Sequence, residues 1–324
     1  MPQTAELVAL ARNPVPSGAV VGYFDGYDGK PLRFARWEPT RVPHRGTVCC
    51  FTGRSEYIER FFETIADLRR RGFTVAIMDW RGQGGSHRAL ANRRKGHIVD
   101  YSEYDRDLAC FMEQVVLTHC PAPYVALAHS MGGHILLREA GHPKSWFERI
   151  VVTAPMLEFH PMRVGVPDPV ARCYAAIATT LRFGTSYVPG GGDDEVEEVG
   201  AFEGNPLTSD RERFERNVAL AKAAPHLTIG AATISWLRAS YRSMAMLNDI
   251  GYPPKVTVPI LMFVAGADTI VLPRANEDFA ARLKVGQSVV LATSRHEILQ
   301  ESDEIRSRFW ATFDAYMNVE ARTS

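Results

Sequence analysis

Cysteine is scarce in this chain of 324 residues: Cys49, Cys50, Cys110, Cys120 and Cys173 make an odd count at irregular spacing. No pair has C-x-x-C spacing, and no histidine–cysteine cluster has metal-ligand spacing, so no disulfide framework, metal or cofactor is called for. Cys49 and Cys50 sit inside an apolar run and read as buried strand thiols, and reduced thiols point to the cytoplasm. Excess charge is missing as well, with 37 Lys+Arg against 37 Asp+Glu. A nucleic-acid partner would need a basic surplus or a dense basic patch, and is excluded. The one basic run, Arg88 to Lys95, is short and reads as a solvated loop. No stretch is apolar for long enough to span a bilayer, and Met1 to Gly18 lacks the charged-then-apolar pattern of a secretory leader. There are no internal repeats. What the chain does have is 46% hydrophobic residues, enough for one large core or a core with a smaller inserted unit.

Pattern then orders the elements. Val20 to Phe24 and Leu32 to Trp37 read as strands about the turn Asp28-Gly29-Lys30. Thr47 to Thr52 and Phe73 to Met78 are continuous apolar runs, expected of strands covered on both faces. Helical periodicity spans Glu56 to Arg71, capped by Gly72, and again Tyr101 to His119. Further strands are expected at Tyr124 to Ala128, Ile150 to Thr153, Ile260 to Ala265 and Ser288 to Ala292. Helices follow from Ile135, Ala275 and about Ser302. This alternation predicts a mostly parallel, doubly wound sheet with helices on both faces. From Met156 to Tyr252 the rhythm changes to helices alone: Val170 to Leu181, Ser209 to Ala223 and Ile229 to Leu247. Ser209 with Glu212 reads as a capping box. The domain boundaries are therefore set at 1–155 and 253–324 for the core, with 156–252 an inserted helical lid.

Chemistry concentrates at Ala128-His129-Ser130-Met131-Gly132-Gly133. Here an apolar strand breaks at once into a helix through a serine with small residues two positions to either side. This is the nucleophile elbow of α/β-hydrolases. The serine takes up a strained backbone conformation, tolerated only where Ala128 and Gly132 leave room. In such folds the acid and the histidine follow in chain order at later strand ends. Asp268 comes immediately after the strand Ile260 to Ala265, and His296 lies in the loop after the next strand. Ser130 is the expected nucleophile, His296 its base and Asp268 the group that orients the imidazole. The oxyanion donors are expected to be the backbone N–H of Met131 and that of Arg54, with Gly53 allowing the turn. Asp249, Asp278, Asp303, His129, His142 and His226 rank lower, because each falls inside a helix, in the insertion or off a sheet edge. Glu297 reads as solvated, and Asp79 as a residue holding the Arg81-Gly82-Gln83-Gly84 loop.

These residues, together with Gly53-Arg54-Ser55-Glu56-Tyr57, Asp79-Trp80-Arg81-Gly82-Gln83-Gly84 and Ala265-Gly266-Ala267-Asp268, resemble the monoglyceride lipase and lysophospholipase branch of the α/β-hydrolases, in particular the bacterial lysophospholipase L2-like group. The resemblance runs from about Tyr23 to Tyr316. Thr52-Gly53 stands where monoglyceride lipases carry His-Gly, which leans towards the lysophospholipase side. The resemblance implies hydrolysis of a small lipid ester bearing one acyl chain, without cofactor. Met156, Phe159 and Trp236 are the expected substrate-binding residues with Gly53, since an apolar cleft under the lid would hold an acyl chain at about 0.8 kcal/mol per buried CH₂. Transient contact of the lid with a membrane surface follows from such a substrate, and oligomeric state is left open. The rival readings are a carboxylesterase or acyltransferase for small soluble esters, and a hydrolase-fold protein that binds ligand without turnover.

Overall fold

The computed structural model describes residues 5–194 and 201–319 of the chain. Its strands form where β-branched and apolar residues run together. In β3 (Thr47–Phe51), β4 (Thr74–Met78) and β7 (Ile260–Ala265) every residue is buried, which needs cover on both faces. Eight strands make one sheet in the order β1-β2-β4-β3-β5-β6-β7-β8. β1 (Val20–Asp25) and β2 (Pro31–Trp37) form an antiparallel hairpin, and β2 runs antiparallel to β4. The remainder, including β5 (Tyr124–His129), β6 (Arg149–Thr153) and β8 (Gly286–Leu291), is parallel.

Register shows the two covered faces. Phe51 aligns with Ala128, Ala128 with Val152 and Val152 with Met262, so these four share one face, and Phe263 points to the other. Phe51 meets Phe111, at the end of the helix from Ser102, edge-on at 6.0 Å, whereas Phe263 meets Phe309 of the last helix at 4.6 Å. The chain leaves β3 towards β4 on one side and later returns to β5 on the other. The direction of winding thus reverses between β3 and β5, the place where open α/β sheets form their crevice.

Helix α1 (Phe62–Arg70) begins later than its periodicity indicates, because Ile58–Phe61 forms a tighter 3-10 turn, and Gly72 closes it at φ +90°. Helix α2 (Ser102–Phe111) widens into a π segment at Met112–Val116 before its last turn at Leu117–His119. α3 (Ser130–Glu139) follows β5 without a break. Among the described residues between β6 and β7 are a short turn, Pro161–Val164, and the helices α4 (Asp168–Thr180), α5 (Arg211–Ala223) and α6 (Ile234–Asn248). α7 (Pro273–Ala281) and α8 (Asp303–Tyr316) complete the core.

Two local expectations are corrected. The cap of α5 is Asp210, whose Oδ1 accepts from Arg213 N at 2.8 Å; Ser209 instead donates N and Oγ to Glu301. Arg88 is not solvated but buried, donating to the carbonyls of Gly82 at 2.7 Å and Gly84 at 2.8 Å.

α4 is turned the unusual way round. It buries only Ala171, Ala175 and Ala178, while Val170, Tyr174, Ile177 and Leu181 are 40–62% exposed and recur at helical spacing along its outer side. Arg172 lies among them, with Arg163 before and Arg182 after them in the chain.

Candidate active site

β5 ends at His129, and Ser130 opens α3 at φ +49°, a left-handed setting that costs a non-glycine residue about 1–3 kcal/mol. The neighbours make it the only way to fit. A Cβ on Gly132 would lie 2.5 Å from the Phe51 carbonyl oxygen, and Ala128 is fully buried. The conformation presents Ser130 Oγ to His296 Nε2 at 2.9 Å. His296 Nδ1 in turn lies 2.6 Å from Asp268 Oδ2, and Asp268 Oδ1 accepts from the N–H groups of Ile270 (2.7 Å) and Val271 (3.1 Å). Three residues from three strand ends are thus joined in one line, and all three are buried.

Burial alone would depress the His296 imidazolium, but the Asp268 carboxylate at its Nδ1, backed by Glu297 and Glu56, reverses the sign and raises its pKa. His129 lies outside the line with its ring 4.8 Å from that of His296. It stands at the sheet edge, contrary to its sequence ranking, and is held by the oxygens of Thr153 at 3.1 Å. Burial first, then the facing His296, lowers its pKa to about 3. It is a neutral wall beside the imidazole, not a second charge.

Glu297 is likewise not solvated. It is buried and paired with Arg60 Nη2 at 2.7 and 2.9 Å, a bond across 237 positions that no local pattern announces. Asp79 holds its loop as expected, accepting from Gly85 N at 2.7 Å, and it also accepts from Ile58 N at 3.0 Å and pairs with Arg33 at 2.6 Å.

The loop after β3 passes directly over the serine. A Cβ on Gly53 would come within 2.9 Å of Glu56 Oε2 and 3.2 Å of Ser130 Cβ, so a side chain there would crowd the serine. Ser55 is at φ +69°, and Glu56, buried and raised in pKa by that burial, accepts from Gly53 N at 2.5 Å. Arg54 sends its side chain away from the sheet. Its Nη2 donates to Gly230 O at 2.8 Å and its guanidinium covers the Trp236 ring, 5.1 Å from the centroid. Trp236 is therefore in place beside the loop, with Phe159 at 6.4 Å from it and Tyr241 at 5.5 Å from Phe159. Met156 is buried and its N–H donates to Ser130 O at 3.1 Å, while Met131 is buried under the elbow. Sequence reasoning quoted Glu56 in its motif and ranked His129 low without giving either a role, and it did not single out Arg60. The signal for Glu56 was its spacing of three from Gly53, the reach of a side chain back to a turn's first N–H.

Sheet order and elbow together define an α/β-hydrolase. A soluble variant of monoglyceride lipase from Saccharomyces cerevisiae, solved with a substrate analog, shares the fold, with a TM-score of 0.73 over 94% of this chain and 97% of that one at 19% identity. The chain belongs to the family described as serine aminopeptidase, S33, a group of hydrolases whose model matches residues 42–303. Lysophospholipase L2 of Escherichia coli (strain K12) is 31% identical over 295 residues, covering 88% of this chain and 83% of that protein. A monoacylglycerol lipase of Mycolicibacterium smegmatis is 26% identical over 158 residues, 49% of this chain and 52% of the relative. The chain is a serine hydrolase.

Proposed function

We propose that this enzyme hydrolyses the carboxylic ester of lipids bearing a single acyl chain, lysophospholipids before monoacylglycerols. The observation that carries the reading is the unbroken line Ser130 Oγ, His296 Nε2, His296 Nδ1, Asp268 Oδ2 at 2.9 and 2.6 Å. Ser130 Oγ attacks the ester carbonyl carbon while its proton passes to His296 Nε2. The oxyanion is received by the N–H groups of Arg54 and Met131, each worth about 2.7–4 kcal/mol in the transition state. Collapse breaks the bond to the alcohol, which leaves with the proton from His296. Water, deprotonated by the same nitrogen, then releases the fatty acid from Ser130. Asp268 keeps the tautomer and the positive charge in place throughout.

Residues 156–252 act as the lid, with Met156, Phe159 and Trp236 lining the acyl channel and Gly53 giving the substrate its approach. The 31% relative named lysophospholipase L2 covers most of both chains, whereas the 26% monoacylglycerol lipase covers half, which favours the first head group. The outward apolar side of α4 with its arginines supports a transient contact with an anionic membrane surface. The enzyme works in the cytoplasm, at the inner face of that membrane. No described helix is long and apolar enough to cross a bilayer.

A fluorophosphonate probe should label the wild type and leave Ser130→Ala unlabelled; an unlabelled wild type removes the reading. Lysophosphatidylcholine should be turned over faster than a monoacylglycerol or a short p-nitrophenyl ester, and a preference for the short ester removes the lipid part. Because protonated His296 cannot accept the serine proton, kcat/KM should fall with decreasing pH through a midpoint above the ordinary histidine value of 6.5. A midpoint at or below that value contradicts the geometry.

A further inference from the structure

The turn Gly53–Glu56 is closed from within by one bond to its backbone, Glu56 Oε2 accepting from Gly53 N at 2.5 Å, and the rest of its shape needs outside support. It starts at a residue without a side chain, passes through Ser55 in a left-handed setting, and follows the last ladder residue of β3, Phe51. One distant side chain grips it at three points. Gln83 Nε2 donates to Gly53 O at 2.7 Å and to Glu56 O at 2.8 Å, and Ser55 N donates to Gln83 Oε1 at 3.4 Å. The amide fits in one orientation only, since its two protons meet two carbonyls and its oxygen meets an N–H. Gln83 is 2% exposed, so water does not compete for these groups.

Gln83 is itself fixed. Gly82 and Gly84 on either side have φ of +83° and +56°, and the loop curls so tightly on Asp79 that a Cβ at Gly84 would meet the Asp79 carboxyl carbon at 2.2 Å. The buried Arg88 holds the carbonyls of both glycines. The Asp79-to-Gly84 motif, which the proton relay does not use, thus ends in one rigidly carried amide directed at the turn beside Ser130.

We propose that Gln83 is a positioning residue for ester cleavage: it is the template that sets the Gly53–Glu56 turn so that the Arg54 N–H faces the substrate's carbonyl oxygen. This rests on the oxyanion role given to Arg54 above. Hydrogen-bond donors stabilise a developing charge strongly only when their orientation is fixed beforehand. Gln83 touches no substrate; its effect passes through backbone it holds.

The test compares Gln83→Leu and Gln83→Glu with wild type on p-nitrophenyl butyrate. Inhibition by an alkyl boronic acid, whose tetrahedral adduct with the serine places an oxygen in the same hole, is measured in parallel. Gln83→Leu should lower kcat by roughly 100-fold with KM within about twofold, and weaken boronate inhibition by a similar factor. Gln83→Glu has the same shape but no protons for the two carbonyls, and should behave the same way; it decides alone if Gln83→Leu does not fold. Unchanged kcat, or a loss of kcat with boronate inhibition at the wild-type level, overturns the proposal. Activity in the wild type separates the two ideas. An active wild type with indifferent variants defeats the template alone, whereas a wild type inactive on every ester defeats the proposed function and the template with it.

Discussion

Two parts of the inserted segment are attached to the core in opposite ways. From Asn205 to Ala223 the attachment is polar and dense. Glu297 N donates to Leu207 O at 2.8 Å, Arg295 Nη1 to Thr208 O at 2.8 Å and Thr208 Oγ1 to Gln300 O at 2.7 Å. Arg213 and Arg216 of α5 both reach Glu63 on α1, at 2.6 and 2.8 Å. α4, by contrast, rests on three alanines and shows its large side chains to solvent. A polar seam specifies a single arrangement, because each group misplaced would be buried without a partner. An alanine seam specifies little and holds weakly, since small side chains remove little apolar area from water. Residues 205–223 are therefore a fixed support next to the histidine and α4 a lightly held leaf, while α6 is buried in the main core.

That contrast can be broken at its fixed end first. Asp268→Asn should leave the fold intact and lower kcat about 10⁴-fold, about 5.5 kcal/mol of barrier, measured on a short ester. Next, Arg60→Met leaves the buried Glu297 carboxylate without its guanidinium and should cost about 3–5 kcal/mol in urea unfolding. A loss under 1 kcal/mol would mean the pair contributes nothing to the rim. Glu63→Gln should be milder, about 1–3 kcal/mol at neutral pH. Burial would raise the Glu63 pKa, but Arg213, Arg306 and Arg216 together hold it down to about 2 from 4.5. Its contribution is therefore complete above pH 4.5 and disappears as pH falls through about 2, so wild type and variant should converge in melting temperature only near pH 2. Smallest in stability is the doubly substituted Ile177→Ser, Leu181→Ser chain, within about 0.5 kcal/mol of wild type. It should turn over a soluble ester at the wild-type rate yet bind anionic vesicles about tenfold more weakly. Equal vesicle binding would leave the outer side of α4 without its proposed partner.

Much of this molecule could be read from residues in order. Strands with unbroken apolar runs, the small residues around Ser130, and the acid and histidine placed after successive strands all follow from local pattern. They led to Asp268 and His296, which the fold brings within hydrogen-bonding distance of the serine line. What escaped the reading was long-range polar pairing. Glu297 with Arg60 and Gln83 with the turn at Gly53 each join positions with no shared periodicity; charge and polarity alone placed Glu297 in solvent, and Arg88, bound to nearby glycine carbonyls, with it. α4 escaped for a related reason: its apolar residues have the right helical spacing, but spacing cannot say which side is inward when alanines occupy the other.

The hydrogen bonds between the histidine loop and residues 205–208 bear on how chimeras of this enzyme can be made. Replacing residues 156–252 whole would put those bonds at stake, and on the proposed mechanism the placement of His296 depends on them. Exchanges confined to the segment from Pro161 to Thr185 would leave the hydrogen bonds among Ser130, His296 and Asp268 in place.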